Sequence, residues 1–174
     1  NIIDFITGPD LDGDGKPEII FGSLRTGSPL PWQACLWIYK STGLNQYSLI
    51  YSDSIPVNDR GVYCVHSACG DLFHDGKQEL VWAIDRTWMV YKYDSLSHQF
   101  QRVYTAYGGD NGKNSTNVSI HDMNGNGYPE IIESGGNETH IWEVEAVELV
   151  YPNGGETLYG DSLAVIRWRN VDTF

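Results

Sequence analysis

One nine-residue frame occurs three times in this 174-residue chain, and each copy runs directly into a short apolar segment. The copies are Asp10-Leu11-Asp12-Gly13-Asp14-Gly15-Lys16-Pro17-Glu18, Asp71-Leu72-Phe73-His74-Asp75-Gly76-Lys77-Gln78-Glu79 and Asp122-Met123-Asn124-Gly125-Asn126-Gly127-Tyr128-Pro129-Glu130. The runs Ile19-Ile20-Phe21, Leu80-Val81-Trp82-Ala83 and Ile131-Ile132 follow them, and a second echo lies further on at Ile38-Tyr39-Lys40, Val90-Tyr91-Lys92 and Ile141-Trp142-Glu143. Successive first acids are 61 and 51 residues apart. A period of about 50 residues with several short strands per unit predicts a repeat architecture, in which no single unit buries its own faces.

Four strands per repeat are expected. In the first they are Ile2 to Thr7, Glu18 to Gly22, Cys35 to Lys40 and Gln46 to Ser52; in the second, Val62 to Ala68, Glu79 to Ile84, Trp88 to Tyr93 and Gln99 to Tyr107. The third offers Asn117 to His121, Pro129 to Glu133 and Thr139 to Val144, with a fourth strand that is missing or borrowed, Val147 to Tyr151 being the candidate. Asp75 to Tyr91 and Asn126 to Trp142 each span 16 positions, but Asp14 to Tyr39 spans 25. The nine extra residues are read as the Gly/Pro/Ser-rich loop Ser23 to Pro31. The expected fold is therefore all-β, with blades over residues 1–145 (about 1–55, 56–108 and 109–145) and a separate β segment over 146–174.

The frame has the chemistry of a calcium loop. Calcium takes six to eight oxygens, and acids at positions 1, 3 and 5 of a tight loop supply the first three. In the first copy these are Asp10, Asp12 and Asp14; Gly15 turns the chain, the Lys16 carbonyl follows at position 7, and Glu18 closes the shell at position 9. An EF-hand would place its acid at position 12 and continue into a helix, whereas Pro17 and a β-branched run follow here. The second copy keeps Asp71, Asp75, the Lys77 carbonyl and Glu79, but Phe73 cannot ligate a metal. The third keeps Asp122 and Glu130 with Asn124, Asn126 and the Tyr128 carbonyl, which are oxygen ligands of lower charge. The expected order of affinity is first, third, second. The plain alternative for any one loop is an Asp/Asn/Gly turn that joins strands without an ion.

These residues resemble the FG-GAP or VCBS repeat family, over approximately Asn1 to Val144. The resemblance implies β-propeller-type blades with the calcium loop between the first and second strands of each. Three blades do not close a propeller, which typically has four to eight, so further chain or other copies are expected to complete the array. The tail, Val147 to Thr157 followed by Ala164 to Trp168, resembles the opening strands of an Ig-like or fibronectin-like module, and fewer than thirty residues cannot form such a sandwich alone.

Composition narrows the setting. A formal charge of −12 without a basic cluster argues against nucleic acid, and no apolar run approaches the roughly 18 residues of a membrane span. A start at Asn1 inside a strand-like run is expected of a mature or trimmed product. Calcium at about millimolar level keeps such loops filled outside the cell, and sequons at Asn114, Asn117 and Asn137 are candidate glycosylation sites there. Of Cys35, Cys64 and Cys69, the last two are five residues apart, about 16 Å on an extended strand and too far to bond each other, so a disulfide from Cys35 to one of them is expected. A zinc site of Cys64, His66 and Cys69 lacks a fourth ligand.

The leading expectation is a non-enzymatic extracellular module, stiffened by calcium, with a structural, adhesive or self-assembling role that includes filament formation. Its partners would be other copies, further chain, glycans or surface proteins. The alternative is a carbohydrate-binding module or the non-catalytic part of a secreted polysaccharide-degrading enzyme, with Trp32, Trp37, Trp82, Trp88 and Trp142 as stacking faces or as filling between blades. His66, His74, His98, His121 and His140 fall in no catalytic motif.

Overall fold

A computed structural model of the chain describes residues 2–25, 32–57, 65–84, 87–107, 117–135, 138–144, 147–151 and 167–170. Among these residues every regular element is a strand. The first sheet is an antiparallel meander of β1 (Ile2–Thr7), β2 (Ile19–Arg25), β3 (Trp32–Gly43) and β4 (Gln46–Val57). The second repeats it with β5 (Val65–Gly70), β6 (Glu79–Ile84), β7 (Thr87–Asp94) and β8 (Gln99–Tyr107). The third holds β9 (Asn117–His121), β10 (Glu130–Gly135) and β11 (Glu138–Trp142), and a two-stranded sheet pairs β12 (Val147–Tyr151) with β13 (Arg167–Asn170).

Two expectations about strands change. The segment Val147–Tyr151 is a strand, but it pairs with β13 rather than completing the third sheet, which has three strands among the described residues. Ser23, Leu24 and Arg25 belong to β2 and not to a loop. The ladder β2–β3 runs two rungs beyond its counterpart β6–β7, through Leu24↔Ala34 and Arg25↔Gln33. Backbone groups that would otherwise need water are paired this way, so part of the insertion lengthens the hairpin instead of looping out. In the second sheet, β5 begins at Val65 and runs to Gly70; residues 62–64 lie outside the described residues.

Strand periodicity places the core. All six residues of β6 are buried, because the second sheet is covered on both faces. Leu80, Trp82 and Ile84 point to a cluster with Ile20, Leu36 and Ile38 of the first sheet. Val81 and Ala83 point the other way, to a cluster with Ile131, Val118 and Ile120 of the third. The contact between β5 and β9 is close: a Cβ on Gly70 would lie 2.5 Å from Cγ2 of Ile120. The first three sheets thus pack in sequence order. The last one shows what packing decides, since Val90 is 3% exposed and its counterpart Ile141 59%, while Leu72 is 1% exposed and its counterpart Met123 60%.

Between the sheets, Tyr51 of β4 packs on Tyr91 and Phe100 of the second sheet, with ring centroids 5.8 and 5.7 Å apart. Its counterpart in β8, Tyr104, borders a cavity of about 350 Å3 lined also by Phe73, Trp88, Trp142 and Val144.

Candidate metal centre

All three nine-residue frames bridge the first and second strands of their sheets, and all three fold alike. The first acid turns inward as the hub of the loop. Asp10 Oδ1 accepts from the N–H groups of Gly13 and Asp14 at 2.8 and 3.0 Å, and its Oδ2 from Gly15 at 2.7 Å. Asp71 accepts from Asp75 and Gly76 at 3.0 and 2.9 Å, and Asp122 from Gly125 and Gly127 at 2.7 and 2.9 Å. The glycine at position 6 takes a φ of 85°, 82° and 92° in the three loops, a left-handed conformation that makes it the natural residue there. Position 4 is also left-handed, and His74 adopts φ 51° where the other loops have Gly13 and Gly125. The His74 ring rests 4.7 Å from that of Tyr128, so the second and third loops stand side by side.

The glutamate at position 9 is buried in every copy. Glu18 Oε2 accepts from Leu11 N–H at 2.5 Å, Glu79 Oε2 from Leu72 at 2.9 Å and Glu130 Oε2 from Met123 at 2.7 Å. This bond ties the second strand of each sheet to position 2 of its loop. Carboxylates that cap backbone donors in this way hold a turn with or without an ion, so the geometry includes the plain turn chemistry of Asp and Asn.

What differs among the loops is the cation chemistry. In the first, one oxygen from each of Asp10, Asp12, Asp14 and Glu18 lies within 4.8 Å of all the others. Glu18 is fully buried, and its Oε1 has no hydrogen-bond partner. Burial, followed by the charges of Asp12 and Asp10, pushes its carboxyl up to about 7. A buried acceptor among three further acids suits a hard divalent cation, and Asp10, Asp12, Asp14 and Glu18 are the residues that would hold one. The second loop does not fit one. Phe73 is exposed at position 3, and the Lys92 ammonium lies 4.4 Å from the centre of its ring, 2.8 Å from Asp75 Oδ2 and 3.6 Å from Glu79 Oε1. In the third loop, Asn124 and Asn126 donate through Nδ2 to Glu143 Oε1 at 3.3 and 2.9 Å.

The residues that reach these loops, from the third strands in the case of Lys40 and Lys92 and from just after β11 in the case of Glu143, were not read as part of the site in the sequence. Lys40 bridges Asp12 Oδ2 at 2.6 Å and Asp14 Oδ2 at 2.9 Å, and its hydrogen bond is the main cause that holds the Asp14 carboxyl below its usual range. Lys40, Lys92 and Glu143 are the last residues of the three echoes, so the signal was their shared place in the repeat.

A family model of the FG-GAP-like repeat matches residues 71–132. The FG-GAP-like match opens on Asp71 and closes two residues beyond Glu130, so it spans the second and third loops and the strands between them. With the antiparallel sheets it establishes a β-repeat module over that part of the chain. It does not reach the tail from residue 146, and the likeness to an Ig-like module has no support from it. No curated protein matches the chain.

The other candidate residues are placed as follows. Among the described residues Cys35 and Cys69 are not joined to each other by a disulfide; Cys64, the other expected partner of Cys35, lies outside the described residues, and so do Asn114 and Asn137. Burial pushes the Cys69 thiol up to about 12, with the charge of Glu18 adding to it. Asn117 is exposed at the start of β9. Trp82 and Trp88 are buried between sheets, while Trp32, Trp37 and Trp142 are half-buried.

Proposed function

We propose that this chain is a non-enzymatic, calcium-stabilised β-repeat module that works outside the cell in a structural, adhesive or self-assembling role. The observation that carries the reading is the partnerless Oε1 of Glu18, fully buried beside the carboxylates of Asp10, Asp12 and Asp14. Four acids gathered in one loop repel each other, and a divalent ion offsets that repulsion while pinning β1 to β2. Calcium near the millimolar level is an extracellular condition. The exposed apolar positions of the third repeat, Met123 in its loop and Ile141 in its sheet, and the cavity beside Trp142 support completion of the array by other copies or by further chain.

Calorimetric titration with calcium tests the reading, with thermal melting in parallel. The protein is expected to bind calcium and to melt higher when loaded, and Glu18→Gln is expected to weaken that binding. Identical melting in calcium and in chelator, with no heat of binding, would end the proposal.

A further inference from the structure

The three loops share one backbone plan but differ in the residue that reaches them from the third strand. In the first loop the outer oxygens of two acids accept from a lysine, Lys40. In the third loop the polarity is inverted: two amides donate to a carboxylate, Glu143. Acid, acid and lysine in one repeat become amide, amide and glutamate in another, so the side-chain types change together and the contact survives. It is a clasp between loop and strand, and its charge sets what the loop has left to offer a cation.

The second loop carries the clasp furthest inward. Lys92 meets Asp75 and comes within 3.6 Å of Glu79 Oε1, an oxygen that, like its counterpart on Glu18, accepts no hydrogen bond and so faces the ammonium through charge alone. The Phe73 ring, in the place of an acid, presents its face to the same ammonium. In the first loop Lys40 pairs with Asp12 and Asp14 and forms no ion pair with Glu18, whose Oε1 stays buried without a cation beside it.

We propose that Lys92 is the resident cation of the second loop, which therefore takes no metal, and that Lys40 is a tethered counter-ion that lowers the calcium affinity of the first loop. This rests on the calcium reading of the first loop given above. A monovalent ammonium on a strand neutralises part of the acid charge without needing any ion from solution, and a divalent ion arriving at the same carboxylates must then compete with it.

Calcium titration calorimetry on the whole chain separates the possibilities. Asp71→Asn is expected to leave the number of bound calcium ions unchanged, whereas Phe73→Asp combined with Lys92→Gln is expected to add one ion per chain. Lys40→Gln is expected to tighten binding at the first loop by about tenfold. Loss of one bound ion in Asp71→Asn would overturn the proposal for the second loop, and an unchanged or weaker affinity in Lys40→Gln would overturn it for the first, both leaving the calcium reading intact. If neither the wild type nor Lys40→Gln binds calcium, the calcium reading itself fails and takes this inference with it. Circular dichroism confirms the fold of each variant, and Asp71→Asn, which keeps the shape of the hub residue, decides the second loop if the double variant does not fold.

Discussion

The hydroxyl of Tyr91, in the second sheet, donates a hydrogen bond of 2.9 Å to Asp53 Oδ2 on the last strand of the first. Arg102 approaches the same oxygen at 3.4 Å, and Ser54 N–H donates to Oδ1 at 2.7 Å, so Asp53 is a polar junction between two apolar layers. Tyr91 is fully buried, and its hydroxyl needs a partner. Tyr91→Phe is expected to cost about 1.5 kcal/mol, the range of a hydrogen bond to a charged group. Urea denaturation checks this through a lower midpoint at unchanged slope.

Equal positions in the repeat should respond unequally. Leu72 is buried against the third sheet, so Leu72→Ala is expected to destabilise by about 3 kcal/mol through lost burial and a cavity. Met123 holds the same place in the third loop but is exposed, and Met123→Ala should change stability by about 0.5 kcal/mol or less. The two denaturant midpoints give the comparison directly; equal losses would contradict the packing order.

Glu133 on β10 is buried with one carboxylate oxygen lacking a hydrogen bond. Burial, and less strongly the charge of Glu138, raises its carboxyl above the usual value, against the pull of His140. A raised folded-state value means that the native state holds the proton more tightly than the unfolded chain does. Its contribution is therefore favourable at low pH and is lost as pH rises through the folded value. Glu133→Gln is expected to melt higher than the wild type at neutral pH, with the gap closing towards pH 4; a gap independent of pH would contradict this.

Cys69 should be a poor nucleophile. Its side chain is half-buried against the core, and burial pushes the thiol up to about 12, so almost no thiolate exists at pH 8. Alkylation by iodoacetamide is expected to be slow in the folded protein and fast in denaturant, followed by mass spectrometry of the Cys69 peptide. Fast labelling of the native state would show that β5 does not hold this residue inside.

Much of the secondary structure was legible because period-2 alternation and Asp/Gly punctuation are local signals: β1, β6, β8 and β9 start and end where the residues alone placed them. The nine-residue frames were legible for the same reason, since a left-handed glycine and an acid that caps N–H groups act within one loop. The sequence by itself did not determine whether Val147–Tyr151 pairs with β11 or β13, because either edge offers the same backbone hydrogen bonds. Nor did it show that Lys40, Lys92 and Glu143 reach the loops. Those residues lie 13 to 28 positions beyond their partners in the chain, and only the antiparallel return of the chain through the third strand brings the groups together. Tertiary structure also decided which apolar repeat positions are core. Burial requires a neighbouring sheet, and Ile141 and Met123 carry side chains of the same kind as Val90 and Leu72 without one to cover them among the described residues.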